Sequence, residues 1–273
     1  MKKLICFALP ALMISACATN KKTAGDHPQF ATNGVVAHRG AWKKKQLPEN
    51  SIASLREAIA LGCTGSEFDI HRTADDSLVI NHDPQFFKLS IEKTDYATLT
   101  KNRLSNGELL PTLREYMLAG LNDNRSTRLI LEIKPSSVSK ERGQETAARV
   151  VKLVQDLHAQ AMVAYISFDY DILKKILQLD PEAHTQYLEA NQPPEQLKAD
   201  GIAGADYHYS AFKKHPEWIE SAKKNHLVLN AWTVNDTATM DWLLEQKFDL
   251  ITTNEPELLM ERIKARKTAI RMF

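Results

Sequence analysis

Two pairs of charged residues with the same spacing are the part of this sequence best suited to chemistry. Glu67 and Asp69 are separated by one residue, and so are Glu132 and Lys134. Residues two apart on a strand face the same side, so each pair would point one way. Adjacent buried carboxylates are costly, and a divalent cation removes the cost. With Glu132 added, the pair predicts an all-oxygen site that favours Ca²⁺ or Mg²⁺ over zinc, with exposed strand-end acids as the alternative.

Two histidines follow apolar runs in the same way. Imidazole titrates near neutrality, so His38 and His82 could activate an attacking oxygen and protonate a leaving alcohol. Arg39 offers a planar fork for phosphate oxygens, and Lys134 offers a mobile ammonium unless it only forms an ion pair with Glu132. Three carboxylates, two imidazoles and two cations favour the metal-assisted hydrolysis of a phosphodiester.

These side chains need a scaffold that brings strand ends together. From Gly34 onward, short β-branched or aromatic runs alternate with longer stretches of helical period, which is the pattern of β/α units around a parallel sheet. About 250 residues suit one (β/α)8 barrel, whose active sites lie at the C-terminal ends of the strands, although length alone also allows two smaller domains. Strands are predicted near residues 35–39, 65–71, 78–82, 128–134, 162–168, 185–189, 203–208, 227–233 and 248–253.

Nine strands are one more than a barrel needs. The segment 78–82 follows Asp75-Asp76-Ser77, a turn composition, so we interpret it as a short excursion after the second strand. The segment 84–110 has no clear element and predicts a rim insertion that could shape substrate choice. Helix starts are predicted at Asn50-Ser51, Pro111-Thr112, Asn235-Asp236 and Glu255-Pro256.

The N-terminus has the pattern of a secretory signal, with two lysines followed by an apolar stretch too short to span a bilayer. The sequence Ile14-Ser15-Ala16-Cys17 resembles the lipobox of bacterial lipoproteins, with Cys17 as the lipidated first residue of the mature chain. The predicted division is a signal peptide over 1–16, a lipid-anchored polar tether over 17–33 and a catalytic barrel over 34–273. An ordinary signal peptide with a nearby cysteine is the alternative.

Lipidation would place a soluble catalytic body at a membrane of the bacterial cell envelope, because two or more acyl chains make a stable anchor. Ala18 stands where some lipoproteins have the aspartate that retains them at the inner membrane, so the outer membrane is preferred. The predicted signal peptide contains Lys2 and Lys3, so its removal changes the formal charge from +1 to −1, which argues against nucleic-acid binding. With Cys6 in the signal peptide and Cys17 lipidated, Cys63 would be alone in the body, so no disulfide framework is predicted. The sequence does not give the oligomeric state.

Taken in order, the motifs resemble those of the glycerophosphodiester phosphodiesterases, over nearly all of the body from Val35 to about Leu259. The matching motifs are His38-Arg39-Gly40, Pro48-Glu49-Asn50-Ser51, Glu67-Phe68-Asp69, His82-Asp83, Glu132-Ile133-Lys134 and Trp232-Thr233-Val234-Asn235. The resemblance implies a TIM barrel that uses Ca²⁺ or Mg²⁺ to split glycerophosphodiesters into sn-glycerol 3-phosphate and an alcohol.

The resemblance also implies a role for each site residue. These roles are metal ligation by Glu67, Asp69 and Glu132, acid and base catalysis by His38 and His82, and substrate or phosphate binding by Arg39, Lys134 and Trp232. Trp232 would pack against the glycerol moiety or fill the top of the barrel. Gly40 would allow close approach of the backbone. Attack by the substrate's own hydroxyl, through a cyclic phosphate, and direct attack by water both stay open.

Two segments depart from the family pattern. Thr253-Asn254-Glu255-Pro256 has an amide where the family has an aspartate, and Phe86-Phe87-Lys88-Leu89-Ser90 replaces a frequent Arg-Thr-Thr-Asn-Gly run. Both departures bear on which alcohol the substrate contains more than on which reaction is catalysed.

Two other functions stay open. An apolar rim would favour a lysophospholipase D-like activity on lysophospholipids. A non-catalytic phosphodiester-binding lipoprotein is a third possibility, against which the retained histidines and carboxylates argue.

Overall fold

A computed structural model describes residues 28–270, and a closed barrel of eight parallel strands forms its centre. The strands are β1 (Val35–Ala37), β2 (Gly65–Arg72), β3 (Leu78–Ile80), β4 (Gln85–Phe86), β5 (Leu89–Ser90), β6 (Arg128–Ile133), β7 (Val163–Ser167), β8 (Thr185–Tyr187), β9 (Gly204–His208), β10 (Val228–Trp232) and β11 (Leu250–Thr253). The α-helices are α1 (Ile52–Ala60), α2 (Tyr96–Leu99), α3 (Leu113–Leu121), α4 (Lys140–Asp156), α5 (Tyr170–Leu179), α6 (Pro194–Ala199), α7 (Tyr209–Lys214), α8 (Glu217–Lys224), α9 (Thr237–Glu245) and α10 (Pro256–Ile270).

The barrel strands follow one another in the order β1, β2, β6, β7, β8, β9, β10, β11. The ring closes at β1, which pairs with β11 through Val35 and Ile251 and with β2 through Val36 and Gly65. All of these pairs are parallel, and helices connect successive strands, so the predicted (β/α)8 barrel is confirmed.

The alternation of side chains along each strand divides the apolar residues between two clusters. Val35, Ala37 and Phe68 belong to the larger cluster, which lies between the strands and the surrounding helices. The intervening positions point into the barrel and fill its interior with branched side chains, as parallel sheets buried on both faces require. The interior cluster contains Val36, Ile130, Ala164, Ile166 and Leu188.

The helix boundaries follow the punctuation of the sequence. Ser51 caps α1 and Thr112 caps α3, each in a reciprocal capping box with the third residue of its helix. Asp236 caps α9 by accepting a hydrogen bond from the Thr239 amide. These caps fix the loops that leave the C-terminal ends of the strands.

The excursion after β2 is also as predicted, because β3 pairs antiparallel with β2. The expectation that 84–110 lacks regular elements is wrong: it holds the β4–β5 hairpin, a 3-10 turn over Ile91–Lys93 and α2. These elements have only two to four residues, too few to show a periodicity in the sequence. A small apolar cluster stabilises them, made by Val79, Phe86, Ile91, Leu99 and Leu110.

The first described residues lie against the base of the barrel, where the strands begin. The Gln29 amide donates to the Arg125 carbonyl at 2.8 Å, and the Phe30 ring lies 4.2 Å from the Arg128 guanidinium. The predicted signal peptide over 1–16, the lipidated Cys17 and the tether through residue 27 lie outside the described residues. Within residues 28–270, no helix is long and apolar enough to cross a membrane.

Candidate active site

A cavity of about 110 Å³ opens at the C-terminal ends of the barrel strands. All the predicted site residues except Asp69 line it, and Asp69 is fully buried beside them. The lining residues are His38, Arg39, Glu67, His82, Glu132, Lys134, Ile166, Phe168, Leu188, Asp206, Trp232, Thr233 and Thr252. The fold thus brings together polar side chains that are far apart in the chain.

Glu67, Asp69 and Glu132 form a compact, buried carboxylate cluster. Glu67 and Asp69 lie on β2, and Asp69 is directly opposite Glu132 on β6. One oxygen from each carboxylate lies within 4.8 Å of the others, a spacing that could hold a metal ion. Glu67 Oε1 is buried and has no hydrogen-bond partner among the described residues, so the donor set fits a hard cation.

Neighbouring groups hold the three carboxylates in place. The Arg39 amide donates to Glu67 Oε2 at 2.8 Å, and Asn50 Nδ2 donates to Asp69 Oδ2 at 2.8 Å. The Lys134 ammonium lies 2.7 Å from Asp69 Oδ1 and 2.6 Å from Glu132 Oε1. The sequence left Lys134 open between phosphate binding and an ion pair, and the ion pair is present with two carboxylates at once.

The cluster carries more negative charge than its surroundings neutralise. Burial raises the pKa of Glu67 well above its ordinary value, and the Asp69 and Glu132 charges raise it further. Burial and the Asp69 charge also raise the pKa of Glu132 to about 7. Burial acts the same way on Asp69, but the Lys134 ammonium, His82 and the hydrogen bonds from Lys134 and Asn50 together outweigh it and lower the pKa of that carboxyl. One ammonium does not compensate three buried carboxylates, whereas a divalent cation would.

His38 follows β1 and is oriented by Asn254, which follows β11. The His38 Nδ1 lies 2.7 Å from Asn254 Oδ1, and because an amide oxygen only accepts, Nδ1 carries the hydrogen and Nε2 has the lone pair. The Nε2 atom lies 3.9 Å from Glu67 Oε2. Burial, followed by the Arg39 charge, lowers the pKa of His38 to about 4, so the ring is neutral at pH 7.

His82 lies on the loop after β3 and is held by two neighbours. Its Nδ1 lies 2.8 Å from Asp83 Oδ1. Its backbone carbonyl lies 3.1 Å from His71 Nε2, which must therefore carry the hydrogen. His71 extends from β2 on the same face as Asp69, so the carboxylate strand also fixes the histidine loop.

Arg39 and Trp232 occupy different sides of the cavity. The Arg39 guanidinium contacts both carboxylate oxygens of Glu49 at 3.1 and 3.0 Å. Trp232 donates from Nε1 to the Asp206 carbonyl at 2.8 Å and packs edge-on against Phe168 with ring centroids 5.4 Å apart. The indole is therefore a fixed apolar part of the cavity wall, on the strand that faces β6 with Glu132 and Lys134 across the ring.

Several residues at the site carry contacts that sequence reasoning did not assign. Asn50, predicted together with Ser51 at the start of a helix, binds Asp69, and Ser51 supplies the cap. Asn254 was noted only as a departure from a motif. Asp206 belongs to no motif, and the sequence indicates only that it lies in a predicted strand. Whether its side chain enters the cavity depends on which way that strand faces.

The fold and the site define a (β/α)8-barrel hydrolase. The chain belongs to the glycerophosphoryl diester phosphodiesterase family, whose model matches residues 38–258. A glycerophosphodiester phosphodiesterase from Caldanaerobacter subterraneus is 27% identical over 244 residues, which are 84% of this chain and 97% of the relative.

Solved structures show the same likeness. A glycerophosphodiester phosphodiesterase from Parabacteroides distasonis is 36% identical, with a TM-score of 0.83, over 88% of this chain and all of the other. A phosphodiesterase from Oleispira antarctica, solved in complex with the product sn-glycerol 3-phosphate, is 27% identical with a TM-score of 0.74 over 84% of this chain and 96% of the other. The predicted family and enzyme class are thereby confirmed.

Proposed function

We propose that this enzyme uses a divalent cation and two histidines to hydrolyse glycerophosphodiesters to sn-glycerol 3-phosphate and an alcohol. The observation that carries the proposal is that a carboxylate cluster suited to a metal shares one cavity with His38 and His82. A phosphodiester needs charge neutralisation, a base and an acid, and these groups can supply all three.

The Oleispira antarctica relative binds sn-glycerol 3-phosphate, which supports the same product here. The phosphate would bind on the charged side of the cavity, within reach of Arg39 and Lys134. Its negative charge would compete with Glu49 for the Arg39 guanidinium, because both offer oxygens to the same planar fork. The glycerol carbons would pack against the fixed indole of Trp232.

Glu67, Asp69 and Glu132 are the residues that would hold Ca²⁺ or Mg²⁺. When bound, the cation supplies positive charge beside the phosphate as a Lewis acid. The pKa values of Glu67 and Glu132 are raised in the surroundings described above, which is the mark of carboxylates that lack a compensating charge. The cation would therefore also stabilise the ionised form of the cluster.

The two histidines would divide the proton transfers. His38 is neutral and presents Nε2, so it can accept a proton from water or from the substrate's own hydroxyl. His82 contacts the Asp83 carboxylate through Nδ1, which orients the ring so that Nε2 could donate a proton to the leaving alcohol. Asn254 and His71 would keep the two rings in position.

The test is release of sn-glycerol 3-phosphate from glycerophosphocholine, glycerophosphoethanolamine and glycerophosphoinositol, with Ca²⁺, Mg²⁺ or a chelator. We expect metal-dependent release that falls about 10²- to 10⁴-fold in His38→Ala and His82→Ala, the range for acid–base catalysis. His215→Ala is the matched control, because His215 contacts Glu217 outside the cavity. Full activity with the chelator would rule out metal dependence, and no release from any substrate would reject the proposal.

Metal binding has a readout that does not require turnover. We expect Ca²⁺ or Mg²⁺ at about 100 times its Kd to stabilise the wild-type fold by about 2.7 kcal/mol, which would raise Tm by several degrees. Glu132→Gln should abolish the shift, and Glu182→Gln, at an exposed position, should retain it. An equal shift in all three proteins would place the metal elsewhere.

We also propose that Cys17 carries the predicted lipid anchor and that the protein is located in the cell envelope, with the outer membrane preferred.

A lysophospholipid substrate remains the second candidate, and one observation favours it. Phe87 is 58% exposed and lines a rim groove together with His82. Phe86 is buried in the small insertion cluster and Leu89 is half-buried, so the apolar rim is reduced to one ring. Release of sn-glycerol 3-phosphate from glycerophosphodiesters in preference to turnover of lysophosphatidylcholine would decide against this candidate.

A further inference from the structure

Asp206 is a buried acid that none of the roles proposed above uses. It lies on β9 between Ala205 and Tyr207, which pack outward in the main core, so its side chain faces the barrel interior. It is 1% exposed and lines the cavity. Strand β9 is three strands along the ring from β6, which places Asp206 across the barrel from the carboxylate cluster.

One oxygen of this carboxyl group is left without a partner. Asp206 Oδ1 is buried and makes no hydrogen bond among the described residues. Asn230 is directly opposite on β10 and hydrogen-bonds to the Asp206 side chain, while its Nδ2 also donates to Thr252 Oγ1 at 3.1 Å, so within the described part of the chain only Oδ1 of the carboxyl group remains unpartnered. The Asp206 carbonyl is fixed by Trp232. A buried polar atom without a partner is costly, and a ligand that reaches it gains the hydrogen bond that the protein does not provide.

The surroundings favour a neutral hydroxyl over a cation. The cavity walls also include Ile166, Leu188 and Trp232, and among residues 28–270 neither Arg39, Lys134 nor another cation compensates the charge of Asp206. Burial raises the pKa of Asp206 well above its ordinary value, and the Glu132 charge adds to the rise while Asn230 opposes it. The neutral acid is therefore favoured, and a neutral carboxyl group both donates to and accepts from an alcohol.

We propose that Asp206 recognises a free hydroxyl group of the substrate's glycerol moiety. The proposal rests on the function proposed above. With the phosphate on the side of Arg39 and Lys134, a glycerol chain that crosses the cavity along Trp232 brings its hydroxyls towards β9. Asp206 then selects diols over phosphates whose carbon chain lacks a hydroxyl.

The experiment compares two phosphate monoesters of the same carbon number, sn-glycerol 3-phosphate and n-propyl phosphate. Their Kd values are measured by calorimetry on the metal-loaded, full-length protein. We expect the wild type to bind sn-glycerol 3-phosphate at least about tenfold more tightly, and Asp206→Ala to reduce this preference to about twofold without weakening n-propyl phosphate. The phosphate contacts are common to both ligands and cancel in the ratio.

Two further variants separate recognition from folding. Valine is close to aspartate in size, suits a strand and leaves no unpartnered polar atom. Asp206→Val therefore tests for the same loss of preference if the alanine variant unfolds. Thr185→Val is the matched control, since Thr185 is also buried with an unpartnered oxygen but lies on β8 outside the cavity lining. We expect Thr185→Val to keep the wild-type preference.

The outcomes are distinct. The role of Asp206 would be overturned if the folded Asp206 variants kept the preference for sn-glycerol 3-phosphate, or if they lost affinity for both ligands equally. The proposed function would still stand in either case. Equal wild-type affinity for the two phosphates would also overturn the role of Asp206. Failure of the metal-loaded wild type to bind either phosphate would contradict the proposed function itself, and the inference would fall with it.

Discussion

At the scale of single residues, the side chain of Asn254 decides which nitrogen of His38 carries the hydrogen. Its oxygen accepts from Nδ1, so Nε2 is left with the lone pair that the proposed mechanism needs. An aspartate would hold the same tautomer and add a charge, whereas the amide holds it without one. The departure from the family motif thus preserves the orientation of His38.

Removing this contact should impair turnover more than binding. We expect Asn254→Ala to lower kcat about 10- to 100-fold with little change in KM, because the imidazole can then rotate or change tautomer. The backbone N–H of Asn254 donates to Asn235 Oδ1 at 2.9 Å. This hydrogen bond does not involve the side chain, so it still holds the loop in the variant. Steady-state kinetics with glycerophosphocholine would measure the effect. Asn254→Asp, which keeps an acceptor, should retain activity, and an unchanged kcat in Asn254→Ala would contradict the assignment.

At the scale of elements, the loop from β1 to α1 shows why Gly40 is needed. The sequence predicted a close approach of the backbone at this glycine. In the structure, a Cβ at Gly40 would lie 2.6 Å from the Ser54 carbonyl carbon, and the residue has φ +79°. The close approach is thus to helix α1, and it sets the position of the preceding His38 and Arg39.

Gly40→Ala should therefore cost both stability and activity. We expect a loss of about 2 to 4 kcal/mol in the free energy of unfolding, from left-handed strain together with overpacking. Gly62→Ala is the matched control, since Gly62 has φ +70° but nothing within 4 Å of an added Cβ. It should lose about 1 kcal/mol and keep its activity. Equal losses in urea unfolding would show that the Ser54 contact is unimportant.

The β4–β5 hairpin carries strain of a related kind at the rim. Its two loop residues, Phe87 and Lys88, have φ of +46° and +65°, a combination that Asn-Gly adopts with less strain. We expect Phe87→Asn with Lys88→Gly to raise the free energy of unfolding by about 1 kcal/mol, or Tm by about 2 to 4 °C. Differential scanning calorimetry would test this.

The same double variant also tests whether the exposed Phe87 ring contributes to hydrolysis of a soluble substrate. Its kcat/KM for glycerophosphocholine should stay within about twofold of wild type, because neither residue lines the main cavity. A large loss of kcat/KM on this soluble substrate would show that the Phe87 ring contributes to the hydrolysis of glycerophosphodiesters. A lower Tm would contradict the interpretation of the turn.

At the scale of the whole molecule, the barrel separates the entry of the chain from the active site. Residues 28–31 lie at the base, where Phe30 contacts Arg128 and the Ala31 amide donates to the Ser126 carbonyl at 2.8 Å. The cavity lies at the opposite end of the same strands. With the proposed anchor on Cys17, the chain would approach the barrel from the side away from the cavity mouth.

This arrangement predicts a preference for soluble substrates. We expect the lipidated protein on vesicles to hydrolyse glycerophosphocholine with the kcat/KM of the Cys17→Ala protein, and to leave lysophosphatidylcholine in its own membrane intact. Product analysis after reconstitution would measure both. Faster turnover of membrane-embedded lysophosphatidylcholine by the anchored form would show that the mouth reaches the bilayer.

Local patterns in the sequence were sufficient for the barrel and for the charged side of the site. The β/α alternation, the helix caps and the spacing of Glu67, Asp69, Glu132 and Lys134 are properties of neighbouring residues, so they can be read without a structure. The short elements of the insertion could not be, because burial of Phe86, Ile91 and Leu99 in a shared cluster stabilises them more than their own few residues do.

Only the tertiary structure decided how groups distant in the chain meet. Asn254 reaches His38 across 216 positions, and Asn50 reaches Asp69 from the start of a helix. Asp206 becomes part of the cavity because the closure of the ring turns β9 towards the carboxylate strands. Such contacts depend on barrel closure and strand register, which arise from the packing of the whole chain and leave no spacing in the sequence.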